Sequence, residues 1–146
     1  MKIKVIVDDN HDPETITLTT AKMSKEIERM VEEFNQDSLL VSHRGSEFLL
    51  NVNDIYFFDV EADTVYSHLP HTSYPTKYRL YELEKILPSY FIRISKSTIV
   101  SLKHIASITR NLTTVREVRF HDSHKIIYCS RKYYPILKKK MEEKTL

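Results

Sequence analysis

Glycine is nearly absent: Gly45 is the only one in 146 residues. Phosphate-cradling loops and dinucleotide fingerprints need several glycines so that backbone can approach phosphate, so neither can be built here. Nucleotide-driven chemistry is therefore not expected. Cys129 is the only cysteine, which excludes an intrachain disulfide and a cysteine-rich metal site and fits a reducing compartment. The apolar runs are a few residues long, far short of the ~20 that a membrane helix needs. The opening segment, residues 1–9, has too short an apolar core for a signal peptide, and a cytoplasmic protein is expected. The hydrophobic fraction of 41% and charged fraction of 29% exclude disorder as the main state. The length fits one core with at most a small appendage.

Acidic residues are scarce in one part of the chain only. Residues 1–89 carry 9 Lys/Arg and 16 Asp/Glu, whereas residues 90–146 carry 13 and 4, so the formal charge of +2 divides into −7 and +9. A block of 57 residues with net charge +9 is what a polyanion-binding surface needs, and the acidic remainder limits indiscriminate sticking.

The apolar pattern changes period along the chain. Residues 2–7 and 14–19 alternate and are rich in β-branched side chains, which predicts two strands around the turn cluster Asp9-Asn10-His11-Asp12-Pro13. Over residues 20–35, Met23, Ile27, Met30, Val31 and Phe34 recur at helical spacing, which predicts a helix capped near Thr19 or Thr20. From residue 38 short strands dominate: 39–41 and 47–50 about a turn at His43-Arg44-Gly45-Ser46, then 54–59, 65–69, 77–80, 91–94, 97–101, 106–110, 117–120 and 125–129. A short helix at 81–87 is stopped by Pro88, a helical turn is expected at 102–105, and a lysine-rich helix at 130–144 holds Pro135 near its first turn. The expected organisation is a β–β–α extension, residues 1–36, and a mainly β domain (α+β overall) of antiparallel sheets with short helices, residues 37–146.

Three constellations invite chemistry and are set aside. Val7-Asp8-Asp9-Asn10 resembles the acidic pocket that opens a receiver domain, but only about 30 residues follow before the β domain, so a turn is the better account. His68/His71 and His121/His124 have metal-like spacing but fall in expected loops with no completing cluster, so no metal or other cofactor is expected. Ser95, Ser97, Ser101 and His104 lack a strained glycine elbow, and no enzyme activity is expected.

The segment Phe91-Ile92-Arg93-Ile94-Ser95-Lys96-Ser97-Thr98-Ile99-Val100-Ser101-Leu102-Lys103-His104-Ile105 is more specific. It resembles the signature of the LytTR family of bacterial DNA-binding domains. Three further segments are similar to that family in order and spacing: Asn53-Asp54-Ile55-Tyr56-Phe57-Phe58-Asp59-Val60-Glu61-Ala62, Leu80-Tyr81-Glu82-Leu83-Glu84 through Phe91, and Ile127-Tyr128-Cys129-Ser130-Arg131-Lys132-Tyr133. The resemblance covers about residues 37–141. It implies a compact antiparallel β fold that reads double-stranded DNA through loops in successive major grooves, here around Asp63-Thr64-Val65, Ser95-Lys96-Ser97 and Arg131.

The side-chain chemistry agrees with that implication. Arg131 has the fork that bonds guanine O6 and N7 together; Lys96 suits a base acceptor or a phosphate. Ser95, Ser97, Lys132 and Arg93 suit phosphate oxygens, Arg93 having a structural ion pair as its alternative. Arg110, Arg116, Arg119 and Lys138 to Lys140 would add long-range attraction. This sequence departs from the family in having Ser95 where many members have histidine and Ser101 where many have asparagine. The loop after Ala62 offers Asp63 and Thr64 instead of a base, and Asp63 either repels phosphate or accepts from a cytosine amino group. The implied protein is a stand-alone transcription regulator whose extension replaces a receiver, with no control by aspartate phosphorylation. A homodimer through the helix 20–35 is expected, and the family implies a regulatory membrane protein as a possible partner. The alternative from another class is a protein-interaction module or anti-activator with a basic surface.

Overall fold

The computed structural model describes residues 2–13, 15–34, 37–110 and 115–144. The chain divides into two compact units, Met1–Phe34 and Asn35–Leu146. In the first, residues 2–7 and 15–20 have no regular secondary structure. The two strands expected there are therefore absent, and only the helix of the expected β–β–α unit is formed. Alternation marks a segment able to pair, but a strand exists only when a neighbour takes up its backbone donors and acceptors. The helix α1 (Lys25–Phe34) is shorter than its apolar period suggested. Its cap is Ser24, whose Oγ accepts from Ile27 N at 3.3 Å, while Thr20, one of the two expected caps, donates its hydroxyl to Lys22 O instead.

Among the described residues the second unit contains ten strands, two α-helices and two 3-10 turns, Val52–Asp54 and Leu102–His104, the latter within the helical turn expected at 102–105. A hairpin of β1 (Ser38–His43) and β2 (Ser46–Asn51) closes on Arg44 (φ 51°) and Gly45 (φ 78°). Two consecutive left-handed residues make the tight turn whose twist matches that of the strands. Next come β3 (Phe57–Glu61), β4 (Thr64–His68) and β5 (Ser73–Thr76). The helix α2 (Leu80–Ile86) follows, then β6 (Phe91–Ser95) and β7 (Thr98–Ser101). These five strands form one antiparallel sheet in the order β5-β4-β3-β7-β6. Pro75 falls on β5, an edge strand, where a missing donor costs no ladder bond. A second antiparallel sheet, β10-β9-β8, is built from β8 (Ile105–Arg110), β9 (Arg116–Phe120) and β10 (Ile126–Cys129). The helix α3 (Tyr134–Lys144) closes the described chain. Residues 77–80, expected as a strand, precede and begin α2, the pairing strand being β5 instead. Residues 130–133 form a turn and not the first turn of the last helix.

Successive residues of β3 point to opposite faces, and this puts the five-stranded sheet between two apolar clusters. Phe58, with Ile55, Val65, Ile99, Leu39, Val41, Leu80 and Leu83, joins the β1–β2 hairpin and α2 to one face. Phe57, with Ile92, Ile94, Val100, Val118, Phe120, Ile127, Cys129 and Leu137, joins the three-stranded sheet and α3 to the other. Each fully buried side chain of this size contributes about 1.5–3 kcal/mol of burial. A run of rings crosses the second cluster. His68 stacks on Phe57 (4.1 Å), Phe57 on Phe120 (5.3 Å), Phe120 meets Tyr56 (5.4 Å), and Tyr56 stacks on His104 (4.1 Å).

Candidate nucleic-acid interface

Register places the sequence-expected residues. Glu61 pairs with Thr64 across the β3–β4 turn, whose two central residues are left-handed, Ala62 (φ 48°) and Asp63 (φ 65°). Alanine in this region is uncommon and is held by the strands on either side. Asp63 is exposed and Thr64 half-buried at the tip. Ser95 pairs with Thr98 across the β6–β7 turn, which presents Lys96 and Ser97 to solvent. Because β3 and β7 are antiparallel neighbours with Asp59 opposite Thr98, the two turns lie at the same end of the sheet. Val60 N donates to Ser97 O at 3.0 Å and fastens them together.

The third segment arrives through an irregularity. The β6–β7 register shifts between Arg93 and Ser95, so Ile94 has no partner across the pair. Ser130 N donates to the Ile94 carbonyl at 2.8 Å, as expected where a bulge frees a ladder group. Tyr133 N and Tyr134 N both donate to Ser130 O at 3.1 Å. These bonds fix the turn at 130–133 beside the β6–β7 turn and leave Arg131 and Lys132 exposed. Five of the eight sequence-expected residues, Lys96, Ser97, Arg131, Lys132 and Asp63, are exposed at this one end. Ser95 is half-buried and holds the turn, its Oγ accepting from Ser97 N at 3.2 Å.

Arg93 has a different position. Its Nε donates to Ser95 O at 2.7 Å, a second nitrogen to Lys96 O, and a third pairs with Glu84 of α2. The fork is spent on the two carbonyls of the turn, with about a quarter of the side chain exposed. This is the structural ion pair that stood as the alternative for Arg93.

Two arginines lie at the same end as Arg131. Arg110 and Arg116 are directly opposite across β8–β9, and Arg116 is opposite Cys129, the residue before Ser130. The Arg116 guanidinium lies 4.4 Å over the Tyr134 ring. Like charges facing each other on a ladder are unfavourable unless an anion lies between or beside them. Together with Lys96, Arg131 and Lys132 they give this end a cationic character, broken by Asp63.

Strands β3 and β4 also hold a polar cluster that spacing alone did not reveal. His68 is not in a loop: it lies on β4, 9% exposed. Its Nε2 contacts Asp59 Oδ1 at 2.6 Å, and Lys125 Nζ donates to its Nδ1 at 3.0 Å. Ligand atoms of Asp59, Glu61 and His68 all lie within 4.8 Å of one another, a set able to hold a metal ion. The ammonium of Lys125 already supplies positive charge there. Burial lowers the Lys125 pKa, while Asp59 and Glu61 oppose that shift. Lys125 also donates to Thr72 O at 2.7 Å, and Ser123 Oγ to Pro70 O at 2.6 Å. The cluster thus latches the β9–β10 turn onto the β4–β5 loop. The signal for it was the period-2 run Phe57, Asp59, Glu61 facing His68 in the paired strand. His121 and His124 are exposed near the β9–β10 turn, as their loop reading implied.

Comparison with known proteins gives a consistent result. A family model described as LytTr DNA-binding domain matches residues 45–142. HTH-type transcriptional regulators of Staphylococcus aureus strains NCTC 8325 / PS 47 and COL are each 30% identical over 145 residues, spanning 97% of this chain and 98% of theirs. A solved LytTr DNA-binding domain from Bacillus cereus shares the fold with a TM-score of 0.67 at 19% identity, covering 72% of this chain and 96% of that one. In the present chain strands separate α1, α2 and α3 from one another, so no two of these helices form a helix-turn-helix pair. Among the described residues no helix is long and apolar enough to cross a membrane.

Proposed function

The chain belongs to the LytTr DNA-binding domain family, and on that premise we propose that it is a transcriptional regulator that reads major-groove bases through turns. The observation that carries this reading is the meeting of the β3–β4, β6–β7 and 130–133 turns at one end of the second unit. Arg131 is the base reader of the set. A bidentate pair with guanine is worth about 1–3 kcal/mol of discrimination, and the Arg131 side chain is exposed in the turn before α3, where the Ser130 anchor fixes the backbone. Lys96 and Lys132 grip phosphate or base acceptors, and the Ser97 hydroxyl sets register on a phosphate. Asp63 accepts from a cytosine amino group and disfavours other bases at that step. Arg93 acts one step back, by holding the β6–β7 turn.

The test is selection from randomised duplex DNA with wild type and Arg131→Ala at two salt concentrations. Wild type is expected to enrich a defined motif, to bind more weakly at the higher salt because phosphate contacts release counterions, and to lose discrimination at one position in the variant. If no motif emerges and binding stays weak at low salt, the DNA-reading proposal is wrong.

A further inference from the structure

The first unit contains the apolar residues of a small fold, yet no core forms among its described side chains. Among its residues with described side chains none is buried. Ile3 (77%), Val5 (80%), Ile6 (76%), Val7 (88%) and Ile16 (79%) stand exposed. Chains below about 40 residues rarely hold a fold alone and rely on disulfides, metals or oligomerisation. This unit has no cysteine. Turns are nevertheless formed between its two apolar segments: His11 N donates to Asp8 O at 3.0 Å and Thr15 N to Asp12 O at 3.2 Å. What it lacks is a strand partner.

We propose that residues 2–8 pair antiparallel with the same segment of a second copy of this chain, making the first unit a dimerisation module whose strands form on association. The charge and apolar patterns together select this occupant and this register. The segment reads Lys2-Ile3-Lys4-Val5-Ile6-Val7-Asp8, basic at its start and acidic at its end. About a two-fold axis at Val5, Lys2 faces Asp8 of the second copy, Ile3 faces Val7, Lys4 faces Ile6 and Val5 faces Val5. Ile3, Val5 and Val7 of both chains then share one face. On the other face the lysine stems lie over Ile6, with two Lys–Asp pairs at the ends. Moving the centre toward the start until Lys4 meets Lys4 opposes like charges. Moving it by the same amount toward the end keeps two Lys4–Asp8 pairs but sets Ile3 of the apolar face against Asp9. A parallel pair puts Lys2 on Lys2 and Asp8 on Asp8. An isolated two-stranded ribbon is marginal, and residues 15–19 supply the next strand, with Ile16 and Leu18 on one face. The turns at 8–11 and 12–15 lead into them. The proposal does not rest on DNA binding.

The experiment is sedimentation of the full chain over a concentration series, with hydrogen exchange at residues 2–8. Wild type is expected to dimerise, with protection of residues 2–8 rising with concentration. Val5→Asp puts two carboxylates face to face on the axis and should leave a monomer whose second unit unfolds as in wild type. Lys2→Asp and Asp8→Lys each replace two attractions by two repulsions and should raise the dimer dissociation constant roughly tenfold, the equivalent of ~1.4 kcal/mol. The double variant Lys2→Asp/Asp8→Lys should restore dimerisation. A wild type that is monomeric at every concentration overturns the proposal, whether or not residues 2–8 are then covered by another protein. So does a dimer that Val5→Asp leaves intact, and single charge variants that the double variant does not rescue refute the register.

Discussion

Replacing Arg93 by alanine separates a residue that positions the reading turn from one that touches DNA. The guanidinium binds the carbonyls of Ser95 and Lys96 and the carboxylate of Glu84. Hydrogen bonds from a charged donor are worth about 1.5–3 kcal/mol each when buried. Here the side chain is 24% exposed and its Glu84 partner 45%, so freed carbonyls meet water and the ion pair counts as a surface one, worth about 0–1 kcal/mol. The expected loss is therefore ~2 kcal/mol, or roughly 8 °C in melting temperature for a unit of this size. The loosened turn must be reordered on binding, at about 1–2 kcal/mol per residue fixed, which raises the dissociation constant for the selected duplex about tenfold or more. The decisive readout is the salt dependence. A phosphate ligand takes about one unit off the slope of log K against log salt when removed, whereas a clamp leaves the slope unchanged. Arg93→Lys keeps the charge but not the fork and should resemble alanine. Urea unfolding and duplex titration at several salt concentrations provide both measurements. If Arg93→Lys binds like wild type while Arg93→Ala lowers the slope, Arg93 is a DNA contact and the clamp argument is refuted.

Two further outcomes are expected. Phe58→Ala removes a ring that is 0% exposed between the five-stranded sheet and the hairpin. It should cost about 3–5 kcal/mol in urea unfolding, and a loss under 1 kcal/mol would show a core that is not packed as described. Burial pushes the Cys129 thiol up to about 11 from 9.0, against the lowering effect of the Arg116 charge. At pH 8 the native thiolate is therefore about 100-fold scarcer than in the unfolded chain, and alkylation should be slower by at least that factor. The same shift leaves stability untouched below pH 9 and lowers it from there toward pH 11, because only the unfolded chain ionises in that window. Equal alkylation rates in native and unfolded chains would refute the burial.

Much of the second unit was legible in the sequence because its signals are local. Arg44-Gly45 supplies the left-handed turn and Pro88 stops α2, and the strand expected at 91–94 is β6, while the one expected at 54–59 begins later, at Phe57, after a 3-10 turn at Val52–Asp54. The four family-like segments were legible for the same reason, as side chains in a fixed order. The strands expected at 2–7 and 14–19 were not formed, because β pattern states what a segment is able to pair with and not whether a partner is present.

The sequence by itself determined which side chains carry positive charge and which segments become turns. Only the tertiary structure decided which of those charges are free. Arg131 read as a base contact and Arg93 as either a phosphate contact or a structural ion pair, and the packing at the Ile94 register shift spends Arg93 on the turn and leaves Arg131 beside it. The expected strand 65–69 includes His68, but its burial against Phe57, Asp59 and Lys125 follows from a cross-strand pairing and from a turn 57 positions away. Contacts of that range depend on which strands become neighbours, a property of the whole packed chain and not of any window within it.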